Sequence, residues 1–99
     1  MSDSATATAT KTKVKLPRQF KAVMLNDDYT PMDWVINILM GVFDKDEDEA
    51  INLTKAIHNH GRAIVYVNSI EMVRAKVEDA LKLAEKFGHS HFKVIKEEA

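Results

Sequence analysis

Three acceptor-bearing side chains stand together at Asn26-Asp27-Asp28, and four imidazoles occur at His58, His60, His89 and His91. Amide and carboxylate oxygens accept hydrogen bonds, so the triplet suits a cation carrying several N–H donors. Asn and Asp also crowd into turns for conformational reasons alone. The setting of this triplet lifts it above that background: it leaves the apolar segment QFKAVML (residues 19–25) and runs through Tyr29-Thr30-Pro31 toward a helix. His58 falls on the apolar stripe of a second helix. By composition it reads as an interior histidine bonded to a backbone carbonyl, or as a polar partner near the Asn26-Asp27-Asp28 turn.

The remaining chemistry-bearing groups are less persuasive. A helical His-x-His places its rings about 200° apart, so His58 and His60 cannot share a metal. His89 and His91 can lie on one side of a strand, but no third ligand accompanies them, and no metal site is expected. Asp44-Lys45-Asp46-Glu47-Asp48 imitates the start of a calcium loop, yet Glu49 stands where that loop needs glycine and Lys55 where it needs a bidentate carboxylate. A solvated, capped helix start accounts for it better. Cysteine is absent and serine occurs only at positions 2, 4, 69 and 90. With no nucleophile beside a base, no phosphate loop and no paired carboxylates in an apolar setting, neither an enzyme nor a cofactor is expected.

These residues need elements to position them. Phe20 and Val23 mark residues 19–25 as a strand. Thr30 is placed to cap a helix, with Pro31 at its first position and Asp33 in the capping-box position. Val35, Ile36, Leu39, Val42 and Phe43 continue at helical spacing. Asp46, with Glu49 three residues on, caps a second helix with Ala50, Leu53, Thr54, Ile57 and His58 on one face, stopped by Gly61. Arg62–Val67 is β-branched and reads as a second strand. Ser69 caps a third helix with the stripe Ile70, Val73, Val77, Ala80, Leu81, Ala84 and Phe87, ended by Gly88. His91-Phe92-Lys93-Val94-Ile95 alternates as a last strand. The order is β-α-α-β-α-β: an α+β domain, three helices on a three-stranded antiparallel sheet.

The chain of 99 residues holds one domain. Residues 1–16, rich in Ala, Thr, Ser and Lys, are expected to form a disordered extension to a domain spanning 17–99. No apolar run nears the ~20 residues that span a bilayer, and the N-terminus lacks the apolar core of a secretory signal, so a cytoplasmic domain is expected. The net charge of −1 hides three blocks: +4 over residues 1–22, −7 over 27–49 and +2 over the rest. No concentrated basic face emerges, which argues against nucleic acid as a partner.

Leu25-Asn26-Asp27-Asp28-Tyr29-Thr30-Pro31-Met32 resembles the signature of the ClpS family, the N-degron adaptors of bacterial Clp proteases. Ala56-Ile57-His58-Asn59-His60-Gly61-Arg62-Ala63 is similar to that family's Val-His-x-x-Gly-Lys-Ala segment, and Ile70–Val77 to its third helix. The resemblance runs from about residue 18 to the C-terminus. It implies an adaptor that binds substrates beginning with Leu, Phe, Tyr or Trp and hands them to the N-terminal domain of a ClpA- or ClpC-type AAA+ unfoldase. Carried over by position, it implies that Asn26, Asp27 and His58 receive the α-amino group and first peptide bond. It places Met24, Leu25, Asp28, Thr30, Met32, Thr54, Ile57 and His91 around the side-chain pocket, and Glu71 and Lys76 against the unfoldase. The N-terminal extension corresponds to the segment the unfoldase pore engages, and a monomer is expected. Two positions depart from the family, which commonly carries Met at Thr54 and Leu at His91. They predict an altered preference among first residues.

Two other functions fit less well. A ribosomal-stalk-like interaction domain shares the element order but leaves Asn26-Asp27-Asp28 without a role. An acid–base or metal enzyme lacks its nucleophile and ligand spacing.

Overall fold

The computed structural model describes residues 18–99; the expected extension over 1–16 and its junction at residue 17 lie outside the described residues. The elements follow in the expected order: β1 (Phe20–Leu25), α1 (Met32–Gly41), α2 (Glu47–His60), β2 (Arg62–Asn68), α3 (Ile70–Lys86) and β3 (Lys93–Glu98). β1 is the middle strand of an antiparallel sheet ordered β2-β1-β3. Ala22 pairs with Tyr66 and Val23 with Ile64, so Val65 is an extra residue in β2 and the pair is bulged. The bulge turns both Val65 and Tyr66 toward the helices, where Val65 is buried and Tyr66 packs on the core.

One core joins the helices to the sheet. Met24 and Ala22 from β1, Leu39 from α1 and Phe43 just after it, Ala50 and Ile57 from α2, and Val73, Val77 and Ala80 from α3 are among its buried members. The apolar stripe of α3 is narrower than its sequence suggests: Leu81 is 40% and Phe87 58% exposed. Leu81 lies in the C-terminal third of α3 and Phe87 caps its end.

Local signals set most boundaries. Asp46 accepts from the Glu49 backbone N–H at 2.8 Å, and the Glu49 carboxylate accepts from the Asp46 N–H at 3.4 Å, completing the expected capping box of α2. Gly61 ends that helix with φ 88°, a left-handed conformation that costs glycine little. Ser69 caps α3 by accepting from the Met72 N–H. Between α1 and α2 the chain turns through Asp44 at φ 62°, a conformation that Asp tolerates better than most residues.

Two expectations are corrected. Thr30 does not cap α1. Pro31 occupies that position with no side-chain hydrogen bond, and its carbonyl accepts from the Trp34 and Val35 N–H groups. The Thr30 hydroxyl instead faces Asp27. The last strand begins at Lys93 and runs to Glu98, rather than spanning 91–95. After Gly88 (φ 78°) the chain makes a further turn, in which the Phe92 N–H donates to the His89 carbonyl, before pairing starts.

Candidate functional site

The end of β1 and the end of α2 are tied together by the backbone. Leu25 pairs with Arg62, and the Asn26 N–H donates to the Gly61 carbonyl at 2.9 Å. Gly61 follows α2 directly, so this bond carries the Asn26-Asp27-Asp28 turn to the last turn of α2, where His58 stands. The two polar features of the sequence thus meet through a main-chain hydrogen bond.

Between them lies a pocket of about 240 Å³. Asn26, Asp27, Asp28, Thr30 and His58 contribute its polar groups, and Met24, Leu25, Met32 and Ile57 its apolar walls, with Thr54 between. The volume suits one side chain rather than a drug-sized molecule, for which pockets run from roughly 300 to 1,000 Å³. His58 is exposed rather than interior, so the alternative of a buried, carbonyl-bonded histidine is set aside. Thr54 is buried, and its hydroxyl donates to the Ala50 carbonyl at 2.8 Å. Its donor is therefore spent within α2, which leaves that wall less polar than the hydroxyl alone suggests.

Asp27 organises the turn. Its Oδ1 accepts from the N–H groups of Tyr29 (2.8 Å) and Thr30 (2.7 Å), and the Thr30 hydroxyl lies within reach of both oxygens, at 2.8 Å from Oδ2. Burial alone pushes the Asp27 carboxyl up. The N–H groups of Thr30 and Tyr29, the Thr30 hydroxyl and the nearby His91 ring outweigh it and hold the carboxyl below the ordinary aspartate range. Each of these favours the ionised form, so the turn keeps a negative charge at the pocket mouth. Oδ1 is crowded with donors, whereas Oδ2 has one and retains acceptor capacity.

His91 is not among the lining residues. Its ring stacks on Tyr29, with centroids 4.1 Å apart, and joins the 88–92 loop to the Asp27 turn at the surface. The wall assigned to it is supplied by the next residue, Phe92, which is buried. Val35 also lines the pocket. Val35 stands three residues after Met32, and that helical spacing is the signal that could have found it. For Phe92 the signal was weaker, because it lies in the turn whose length the alternating pattern did not show. Glu71 and Lys76 lie on α3, outside the pocket. Glu71 is exposed; the Lys76 ammonium bonds the Asp44 carboxylate at 2.9 Å and lies over the Tyr66 ring. Among the described residues no three His, Cys, Asp or Glu side chains come together to hold a metal ion, and no helix is long and apolar enough to cross a membrane.

A small α+β recognition domain with an acceptor-rimmed, apolar-walled pocket is the class these features define. Residues 15–91 match the family model described as ATP-dependent Clp protease adaptor protein ClpS. The Clp protease adapter ClpS of Wolinella succinogenes is 38% identical over 87 residues, covering 88% of this chain and 85% of the relative. That of Nautilia profundicola is 43% identical over 74 residues, covering 75% and 76%. The structure of Agrobacterium tumefaciens ClpS2 bound to L-phenylalaninamide superposes with a TM-score of 0.80 at 30% identity, covering 85% of this chain and all of that one. The chain belongs to the ClpS family, adaptors of the ATP-dependent Clp protease and not enzymes.

Proposed function

We propose that this adaptor holds protein substrates by their first residue when that residue is Leu, Phe, Tyr or Trp. The observation that carries this is the pocket itself: hydrogen-bond acceptors at the mouth and apolar walls below, in a volume fit for one side chain. An α-ammonium group has three N–H donors and a positive charge. Asn26, Asp27 and His58 offer it an amide oxygen, an ionised carboxylate and an imidazole nitrogen, and His58 can also meet the first peptide bond. The end of α2 beside them adds the negative pole of a helix dipole. Asp28, Thr30 and Met32 surround the pocket mouth; Met24, Leu25, Thr54 and Ile57 receive the side chain. L-phenylalaninamide, the ligand of the related ClpS2, has the same three parts: a free amine, a bulky apolar side chain and an amide.

Charge-assisted hydrogen bonds contribute about 1.5–3 kcal/mol each, and a buried apolar side chain about as much. Association costs of at least ~4 kcal/mol offset part of this. The balance favours affinity nearer micromolar (about −8 kcal/mol) than picomolar, and an adaptor that delivers its cargo must release it. Delivery is to the N-terminal domain of a ClpA- or ClpC-type unfoldase in the cytoplasm. Glu71, exposed on α3, is suited to the docking face, and Lys76 is assigned to it through the family resemblance. The adaptor acts as a monomer.

Acetylating the peptide terminus removes the charge and two donors while leaving the side chain intact. Fluorescence anisotropy with a Phe-initiated peptide and its acetylated twin tests the proposal: binding is expected for the first and lost for the second. Equal affinity for both would end the assignment of Asn26, Asp27 and His58.

A further inference from the structure

A second pocket, of about 280 Å³ and open to solvent on one side, lies between the last turns of α3 and the 88–92 loop, with Leu81, Ala84, Gly88 and Ser90 among its walls. Among the described residues Phe92 alone lines both this cavity and the first pocket. Phe92 is 5% exposed, and its ring packs edge-on against Trp34, with centroids 5.1 Å apart. Phe92 precedes β3, and its backbone N–H is used in the turn to His89. The ring can therefore rotate about its side-chain torsions without disturbing the sheet. In a close-packed interior such a rotation has nowhere to go. Here Phe92 borders a second pocket on its other side.

We propose that Phe92 is a movable partition: it yields into the cavity behind it when a first residue needs more depth, and so decides how well tryptophan is bound relative to leucine. This rests on the amino-terminal binding proposed above. On this proposal an isobutyl group is held with the ring in its present position. An indole is longer and gains the extra depth only if the ring moves back. The pocket's reach toward large first residues is thus set partly by residues of α3 that the substrate never touches.

Leu81→Trp and Ser90→Phe fill the second cavity from two sides, at exposed positions outside the first pocket. Dissociation constants are measured by anisotropy on the full chain for two peptides that differ only in starting with Trp or Leu. The ratio Kd(Trp)/Kd(Leu) is expected to rise about tenfold in each filled variant, the scale on which a pocket discriminates by size. Phe92→Leu, which thins the partition, is expected to lower the ratio. An unchanged ratio in both filled variants overturns the partition, including the case in which both peptides weaken together. A wild-type chain that binds neither peptide strikes instead at the amino-terminal binding on which the partition rests.

Discussion

Two acidic turns in this protein use the same local device to different ends. At Asp46 a carboxylate accepts the Glu49 N–H and starts α2. At Asp27 a carboxylate accepts the Tyr29 and Thr30 N–H groups and shapes the turn after β1. In both, an aspartate satisfies main-chain donors two or three residues ahead, as Asp does throughout proteins. Their surroundings differ. Asp46 is exposed at a helix start, whereas Asp27 is half-buried beside an apolar pocket, with His58 brought near by the Asn26–Gly61 hydrogen bond. Backbone capping makes a carboxylate structural; an adjoining pocket and a spare oxygen make it available to a ligand.

Alanine at each position breaks the comparison most severely. Asp27→Ala removes the turn's organiser and the charge together, and affinity for a Phe-initiated peptide is expected to fall about a hundredfold, the equivalent of one or two charge-assisted bonds. Asp46→Ala should leave that affinity unchanged and lower stability by about 1 kcal/mol, as loss of an N-cap does. Anisotropy and denaturant melts of both variants decide; a binding defect in Asp46→Ala as large as that in Asp27→Ala would erase the distinction drawn here.

Asparagine sharpens it. Asp27→Asn keeps an Oδ1 acceptor for the Tyr29 and Thr30 N–H groups but loses the negative charge. The expectation is a fold retained and affinity lowered about tenfold, one charge-assisted contact. Asp46→Asn caps as well as Asp and should change neither property. Binding by Asp27→Asn as tight as wild type would reduce Asp27 to a turn former.

Acid titration reads the same charge. The Asp27 carboxyl in the folded protein lies below its unfolded value. Its contribution to stability is therefore present above the unfolded aspartate range, near about 4, and is lost as pH falls through the lowered folded value. The share of peptide affinity that depends on the Asp27 charge should be lost only below that range. In Asp27→Asn this part of the acid dependence of melting should disappear.

The smallest effect concerns the pocket wall. Thr54→Met lengthens a buried side chain and removes the hydroxyl bonded to Ala50. The ranking of Phe, Leu, Tyr and Trp peptides is expected to shift severalfold, within the range a methylene or two commands in an apolar pocket. An unchanged ranking across the panel would exclude Thr54 from selectivity.

The element order, the Asp46 and Ser69 caps and the Gly61 stop were all legible, because each rests on residues within one turn of one another. So was the grouping of Asn26-Asp27-Asp28 with His58, although it needed the family resemblance to choose between a core histidine and a site histidine. The 88–92 segment was not legible. Alternation of apolar residues shows that a strand is present but not how many residues the preceding turn consumes. Phe92 and Val94 share the buried face, as the alternation over 91–95 has it, whereas His91, placed at the pocket through the family resemblance, is exposed and stacks on Tyr29.

The amino-acid sequence by itself determined the helices, the strands, their caps and a cluster of acceptors poised for a cation, through interactions spanning a few residues. Tertiary structure alone decided that His58 is exposed at the rim, that His91 stacks on Tyr29, and that a second pocket adjoins the first at Phe92. Those outcomes depend on how β1, α2 and the end of α3 close against one another, a distance in the chain that no local pattern encodes.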